Sequence, residues 1–283
     1  MSIKILITGV NGFIGRNLKK YLSNIGYDVD GLSRQDLDLL NKDKVMSFMS
    51  ERYYDLIIHT AVEGGRRTKP DSEEMFYKNI LMVYNLLSNK NHFDRMITFG
   101  SGAELDRTLN INGETIFEER YPTDYYGMSK NVIAKLCLVE PQLYNFRIFN
   151  CFGYDEAEGR LIRGNIEKKL RGESMTLFSN RLMDFFYIDD LGKIVENFIV
   201  NKDFSKTIDC VYDTKYRLID ILNIINNCSH DKVGIISTGD SSINKINSKE
   251  TEYIGKFTNI SIEYIGLING ITNTYNIIKK ELI

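Results

Sequence analysis

The chain has no tryptophan, three prolines, three histidines and four cysteines among its 283 residues. With so little proline and no low-complexity stretch, nothing in the sequence marks a linker between independent domains. Cys137, Cys151, Cys210 and Cys228 lie far apart and form no Cys-x-x-Cys pair. That argues against a zinc site or a disulfide framework and predicts free thiols in a reducing compartment. None of the three histidines stands at ligand spacing from another, so no metal is expected. A surplus of one charge is missing too: 36 Lys and Arg against 38 Asp and Glu give −2. The balance excludes a general nucleic-acid binder but allows a local cation cluster for a phosphorylated small molecule. No segment approaches the ~18 apolar residues of a membrane helix. The first apolar run, Ile5-Leu6-Ile7, stops at Thr8-Gly9, too soon for a signal peptide. The expectation is a cytoplasmic protein with no membrane partner.

What is present is 43% hydrophobic residues in alternating strand-like and helix-like segments. Strands are expected at Ile3–Thr8, Tyr27–Ser33, Asp55–His59, Arg95–Phe99 and Leu143–Phe149. Helices are expected between them at Phe13–Ile25, Lys42–Arg52, Glu73–Ser88 and Tyr125–Leu138. Such alternation implies right-handed βαβ units and a doubly wound, Rossmann-type α/β fold with a parallel sheet. Its ligand should lie at the carboxyl ends of the strands. After about Asn150 the alternation loosens. Helices are expected at Gly164–Arg171, Asp190–Val200, Leu218–Cys228 and Ile262–Lys280, with short strands at Met175–Phe178 and Phe185–Ile188. Residues Thr238–Lys256 are Ser-, Asn- and Lys-rich and read as a surface excursion. The division expected is a dinucleotide-binding domain over 1–153, completed by returning segments of the later half, and a smaller substrate lobe over 154–283.

Thr8-Gly9-Val10-Asn11-Gly12-Phe13-Ile14-Gly15 follows the first strand and opens the first helix. Gly9, Gly12 and Gly15 permit a tight turn, close approach of a pyrophosphate and close helix–sheet packing. Asn11, Phe13 and Ile14 complete the loop, whose helix N-terminus offers free N–H groups to phosphate. The second strand should end on the group that reads the adenosine ribose. Asp30 lies mid-strand, and Ser33-Arg34 holds the tip. A hydroxyl beside a guanidinium suits the 2′-phosphate of NADP, so NADP(H) is favoured, with NAD(H) as the alternative.

Tyr126 and Lys130 stand four apart in Tyr126-Gly127-Met128-Ser129-Lys130 and share a helix face. A neighbouring ammonium lowers the pKa of a phenol, and the couple can move a proton at a carbonyl during hydride transfer. Ser101, in Phe99-Gly100-Ser101-Gly102-Ala103-Glu104, falls at the end of the fourth strand.

These motifs together resemble the extended short-chain dehydrogenases/reductases, in the branch of nucleotide-sugar epimerases, dehydratases and reductases. The resemblance covers essentially the whole chain. Asp38-Leu39 resembles the adenine-contacting acid, His59-Thr60-Ala61 the end of strand three, and Asn79 the helix asparagine lining the site. Arg147-Ile148-Phe149-Asn150-Cys151-Phe152-Gly153 resembles the loop whose asparagine meets the sugar nucleotide, and Asp184 to Leu191 the substrate-lobe signature. Within the branch, Leu32 to Leu40 and Glu63-Gly64-Gly65 resemble GDP-L-fucose synthase-like 4-keto-sugar reductases.

The resemblance implies Ser101, Tyr126 and Lys130 as catalytic residues, and a nucleotide-diphosphate sugar held by Ser101, Gly102, Asn150, Arg160 and Arg181. Departures narrow the reading. The dehydratases' Thr-Asp-Glu run is replaced by Ser101-Gly102-Ala103, which disfavours dehydration. Ala103 stands where fucose synthase has its epimerising cysteine, and no histidine occurs between 93 and 229. Met183 replaces the arginine usual before the Asp-Phe signature, leaving Arg160, Arg181, Arg217 or Arg66-Arg67-Thr68-Lys69 to meet a diphosphate. The leading expectation is an NADPH-dependent nucleotide-sugar 4-ketoreductase. An NAD-dependent 4-epimerase and a non-catalytic dinucleotide sensor are the alternatives. Apolar residues on the helices around Ile80–Leu87 and Val132–Leu136 permit a homodimer.

Overall fold

The computed structural model describes residues 3–65, 70–113, 117, 121–238 and 252–282. Two compact units emerge. The first comprises Met1–Arg107, Thr115–Ile148 and Gly192–Asp209; the second comprises Thr108–Glu114, Phe149–Leu191 and Cys210–Ile283.

In the first unit, β1 (Lys4–Thr8), β2 (Asp28–Leu32), β3 (Tyr54–His59), β4 (Phe93–Ser101), β5 (Leu143–Ile148) and β9 (Thr207–Cys210) form one sheet. The order is β2-β1-β3-β4-β5-β9, and the β1–β2, β1–β3, β3–β4 and β4–β5 pairs are parallel. Ile5, Leu6, Ile7, Ile57 and Ile58 are fully buried, as strands covered on both faces require. Between them run α1 (Phe13–Asn24), α2 (Lys42–Ser50), α3 (Glu73–Leu87) and α4 (Tyr125–Val139). The side chains of Asn41, Ser72 and Asp124 cap α2, α3 and α4 by accepting a main-chain N–H each. Leu6, Ile57 and Met96 pack with Val83, Leu86, Ile133 and Cys137 in the core. Because β2 and β3 lie on opposite sides of β1, the winding reverses there, and the ends of β1 and β3 flank a crevice.

The expected elements of the first half form within a few residues of their expected bounds. The fourth strand is longer than expected, running from Phe93 through Ser101, and so carries Ser101 as its last residue. The sixth strand, β9, was not anticipated.

The second unit holds β6 (Cys151–Phe152) paired with β8 (Phe186–Tyr187), and β7 (Met175–Leu177) paired with β10 (Ile235–Ser237). Its helices are α5 (Leu161–Leu170), α7 (Leu218–Asn227) and α8 (Gly266–Leu282). A further helix, α6 (Ile188–Val200), begins where a strand was expected to end, and from Gly192 onward its residues belong to the first unit. The last helix starts at Gly266 rather than Ile262. Buried Asp190 accepts the N–H groups of Ile265 and Gly266 at 2.7 and 2.9 Å, and this fixes the onset. Residues 239–251 of the expected excursion lie outside the described residues, while Tyr253 forms bridges with Ile111 and Met183. No cysteine is in a disulfide. Among the described residues no helix is long and apolar enough to cross a membrane.

Candidate active site

A cavity of about 860 Å³ opens in the first unit at the reversal of the sheet. Gly9, Asn11 and Gly12 of the glycine loop line it, with Ser33 and Arg34 at the tip of β2. Asp38, Leu39, Thr60 and Ala61 line it as well. Phe13, Ile14 and Gly15 do not; they form the first turn of α1 behind the loop.

Gly12 is the N-cap of α1 and contributes no side-chain cap, and the first turn of α1 contains no acid. Unlike α2, α3 and α4, this helix therefore presents uncapped N–H groups and the positive end of its dipole beside the cavity, a fit for a pyrophosphate. Gly9 has φ +73°, and a Cβ there would lie 2.5 Å from the Ala61 nitrogen. Only glycine lets the loop lie this close to the end of β3. The contact is tied further by Thr60 Oγ1, which donates to the Thr8 carbonyl at 2.7 Å. His59 Nδ1 and Thr8 Oγ1 are 2.8 Å apart. Burial pushes the imidazole down to about 3, so it is neutral near pH 7.

At the β2 tip the expected phosphate-reading pair already has carboxylate partners. Ser33 donates its N–H and hydroxyl to Asp36 Oδ2 at 2.8 and 2.7 Å. Arg34 reaches Glu63 at 3.2 Å across the cavity mouth. These bonds from Ser33 hold Asp36 below the ordinary carboxylate range. Asp38 accepts the Leu40 N–H at 3.1 Å and shapes the next turn. Mid-strand Asp30 is engaged by the Tyr54 hydroxyl at 2.8 Å, away from any ribose-reading role.

Ser101, Tyr126 and Lys130 all belong to the first unit. Ser101 Oγ accepts the Ala103 N–H at 3.1 Å and keeps its own proton for donation, and Gly102 is buried beneath it. Lys130 Nζ lies 5.8 Å from the centre of the Tyr126 ring and donates to the Phe99 carbonyl at 2.7 Å. Burial pushes Lys130 down to about 8, opposed by the charge of Glu104. The Tyr126 ring packs on Gly65, where a Cβ would fall 2.9 Å from ring atoms Cε2 and Cζ. The glycine pair after β3 is thus partly a seat for this ring.

Like Ser101, Tyr126 and Lys130, Asn79 is not among the residues that line the cavity. Its amide accepts the Glu63 N–H at 2.9 Å and donates to the Glu63 carbonyl at 3.0 Å and to Ser129 Oγ at 3.2 Å. It is buried behind the wall and clamps the main chain of Glu63. Sequence reading also gave no role to Glu104, Arg147 and Asp209. Arg147 Nε lies 2.9 Å from Glu104, and its Nη1 lies 2.7 Å from Asp209. A charged residue inside the buried run that closes β4 was the available signal.

The substrate-reading candidates Asn150, Arg160 and Arg181 belong to the second unit. Asn150 is buried and donates to the Asp184 carbonyl at 2.9 Å. Arg160 lies 3.6 Å from Glu156, whose carboxyl burial pushes up to about 7. Buried Nε of Arg181 has no hydrogen-bond partner. Arg217 Nη1 donates to the Asn180 carbonyl at 3.4 Å. Arg66 to Lys69 lie outside the described residues.

The glycine loop and the Ser/Tyr/Lys set both fall within the span of a single family match. Residues 5–208 fit the NAD dependent epimerase/dehydratase family. The chain belongs to that family. An ADP-L-glycero-D-manno-heptose-6-epimerase of Brachyspira hyodysenteriae is 28% identical over 73% of this chain and 75% of its own length. A GDP-L-fucose synthase of Azorhizobium caulinodans is 24% identical over 68% and 69%. Among solved structures, a GDP-mannoheptose C4 reductase from Campylobacter jejuni with NADP bound superposes with TM-score 0.75 at 18% identity, covering 97% of this chain and 98% of that one. A nicotinamide dinucleotide is the cofactor supported for this epimerase/dehydratase family member, and the cavity suits it in size and polarity.

Proposed function

We propose that this protein is an NADPH-dependent reductase of the C4 ketone of a 4-keto-6-deoxy nucleotide sugar, working in the synthesis of surface-polysaccharide sugars. The observation that carries the reading is the complete proton-handling set, Ser101 at the end of β4 with Tyr126 and Lys130 on α4, in a site lacking the Asp-Glu pair of the dehydratases. A nicotinamide dinucleotide held by this chain would supply the hydride. Ser101 donates its hydroxyl proton as a hydrogen bond to the ketone oxygen, and Tyr126 protonates the emerging alkoxide. Lys130, as an ammonium, favours the phenolate left behind and holds the nicotinamide ribose.

Gly9, Asn11, Gly12, Thr60 and Ala61 would hold the dinucleotide, with Phe13, Ile14 and Gly15 supplying the first turn of α1. Asp38 and Leu39 would meet the adenine, and Ser33 and Arg34 the 2′-phosphate. In the second unit Asn150 would meet the sugar nucleotide. Arg181 is the favoured diphosphate cation, because its buried Nε has no partner while Arg160 has Glu156 beside it. Two copies would pair through α3 and α4, which expose Tyr77, Leu81 and Tyr84 on one helix and Met128 and Val132 on the other.

The test uses NADPH deuterated at C4 of the nicotinamide and a panel of 4-keto-6-deoxy sugar nucleotides, with products weighed by mass spectrometry. A product heavier than its ketone by one hydrogen and one deuterium supports the reading. Absence of label transfer to every ketone refutes it. Tyr126→Phe should lower kcat by roughly 10²–10⁴-fold.

A 4-epimerase is the second reading. The carboxylates of Asp36 and Glu63, already engaged with Ser33 and Arg34, favour NAD over NADP at the β2 tip. An epimerase would interconvert 4-hydroxy sugar nucleotides without net consumption of cofactor.

A further inference from the structure

The turn after β4 carries a carboxylate that the proposed chemistry does not use. Glu104 has no exposed surface. It accepts the main-chain N–H of Ser101 at 2.8 Å, the Asn145 amide at 3.1 Å and Nε of Arg147 at 2.9 Å. Arg147 in turn holds Asp209 at 2.7 Å. Burying such ions costs several kcal/mol each before their mutual attraction offsets it, and apolar replacements often hold a fold equally well. Strength alone is therefore a weak reason for this network.

Its location supplies a better one. The Glu104 carbonyl accepts from the side chain of Asn131, the neighbour of Lys130, at 2.8 Å. A Cβ at Gly127 would lie 2.5 Å from the Ala103 carbonyl oxygen. The turn Gly102–Glu104 is thus the seat of the first turns of α4, which carry Tyr126 and Lys130. At Gly100 a Cβ would lie 1.8 Å from Glu104 Oε1, so the strand is bare where the carboxylate enters.

We propose that Glu104 is a positioning residue of this site: it fixes Ser101 against α4 and places a negative charge at Gly100, next to the Phe99 carbonyl to which Lys130 donates. The inference rests on the reading of Ser101, Tyr126 and Lys130 as the proton-handling set. Burial works against the ammonium and the charge of Glu104 opposes burial, while Cys137, a thiol that burial keeps protonated up to about 11, also lies near. His59, neutral on β3, and Tyr126, on the same helix, are the other titratable groups beside Lys130.

Glu104→Gln keeps an acceptor for the Ser101 N–H and removes the charge. Lys130 is titrated by NMR in protein carrying [ε-¹³C]lysine, with its signal assigned by Lys130→Arg, alongside NADPH binding and the pH profile of ketone reduction. NADPH affinity, measured at pH 6 where Lys130 is an ammonium in both proteins, should stay within about twofold. The Lys130 midpoint and the alkaline limb of activity should both fall by on the order of one pH unit. A folded Glu104→Gln protein in which neither moves overturns the proposal. If that protein does not fold, Glu104→Asp decides, since it keeps the charge but draws the carboxylate back by one methylene from the Ser101 N–H and from Gly100. A lower Lys130 midpoint or a slower chemical step supports the role of Glu104, and a folded protein in which neither changes overturns it. The NMR titration needs no substrate. A wild type that reduces no ketone but shows the Lys130 shift refutes the assigned reaction and supports Glu104. A working reductase whose Lys130 ignores Glu104 does the reverse.

Discussion

Gly65→Ala tests whether the glycine pair after β3 seats the Tyr126 ring. Gly65 has φ +67°, and the added methyl would lie 2.9 Å from Cε2 and Cζ of that ring. Carbon atoms in comfortable contact lie ~3.5–4.0 Å apart, so the ring or the loop must yield by roughly 0.6–1 Å. An L-residue in the left-handed region adds about 1–2 kcal/mol of strain. For a chain of this size that lowers Tm by only a few degrees, about 2–4 °C per kcal/mol. Catalysis should suffer far more, because displacing a reacting group by about 1 Å costs on the order of 10²-fold. Single-turnover oxidation of NADPH with a reducible ketone, followed by loss of nicotinamide fluorescence, reads the chemical step. The expected result is a 10- to 100-fold slower step (order of magnitude from the same displacement) with NADPH affinity changed by less than about threefold. Equal loss of affinity and rate, or no loss of rate, refutes the seating argument.

Other outcomes follow from the same geometry. Arg34→Ala should weaken NADPH by about 10–100-fold with little change for NADH, and Glu63→Gln should tighten NADPH by freeing Arg34; titration calorimetry with both cofactors reads this. Activity should be constant at neutral pH and fall as pH rises through about 8, where Lys130 loses its proton; kcat/KM against pH gives the limb. His59 is held down to about 3 from its ordinary 6.5, so the unfolded chain takes up this proton first. Its contribution to stability is complete above 6.5 and is lost as pH falls, by up to about 1.4 kcal/mol per pH unit. Urea midpoints at pH 7 and pH 5 measure that loss, and His59→Asn should flatten the difference.

The doubly wound sheet was legible because β1, β3 and β4 are buried on both faces and therefore read as continuous apolar runs. β9 was not. Thr207–Cys210 is a four-residue strand in which buried and half-buried positions alternate, and only its place beside β5 makes it a strand. The reacting residues show the same contrast. Tyr126 and Lys130 are one helical turn apart, a spacing that sequence displays directly. Glu104, Arg147 and Asp209 come from three elements and are joined only once the sheet is assembled, with Ser101 in register with Ile148. Arg34 looked like an open cation because Glu63 is distant in the chain, and nothing local to Asn79 reveals the Glu63 main chain it clamps.

Phosphate binding at the bare N-terminus of α1 would couple ligand occupancy to the order of the fold. Its N-cap, Gly12, gives the first amides no side-chain acceptor, and the opening turn contains no acid. A phosphate placed there would complete the helix, so a dinucleotide bound as proposed would act as a structural ligature as well as a reactant. By mass action, saturation at about 100 times Kd adds about 2.7 kcal/mol to the folded state. The cellular lifetime of this chain would then track its supply of dinucleotide, with loss of cofactor read first as fraying at the start of α1 and only later as lost turnover.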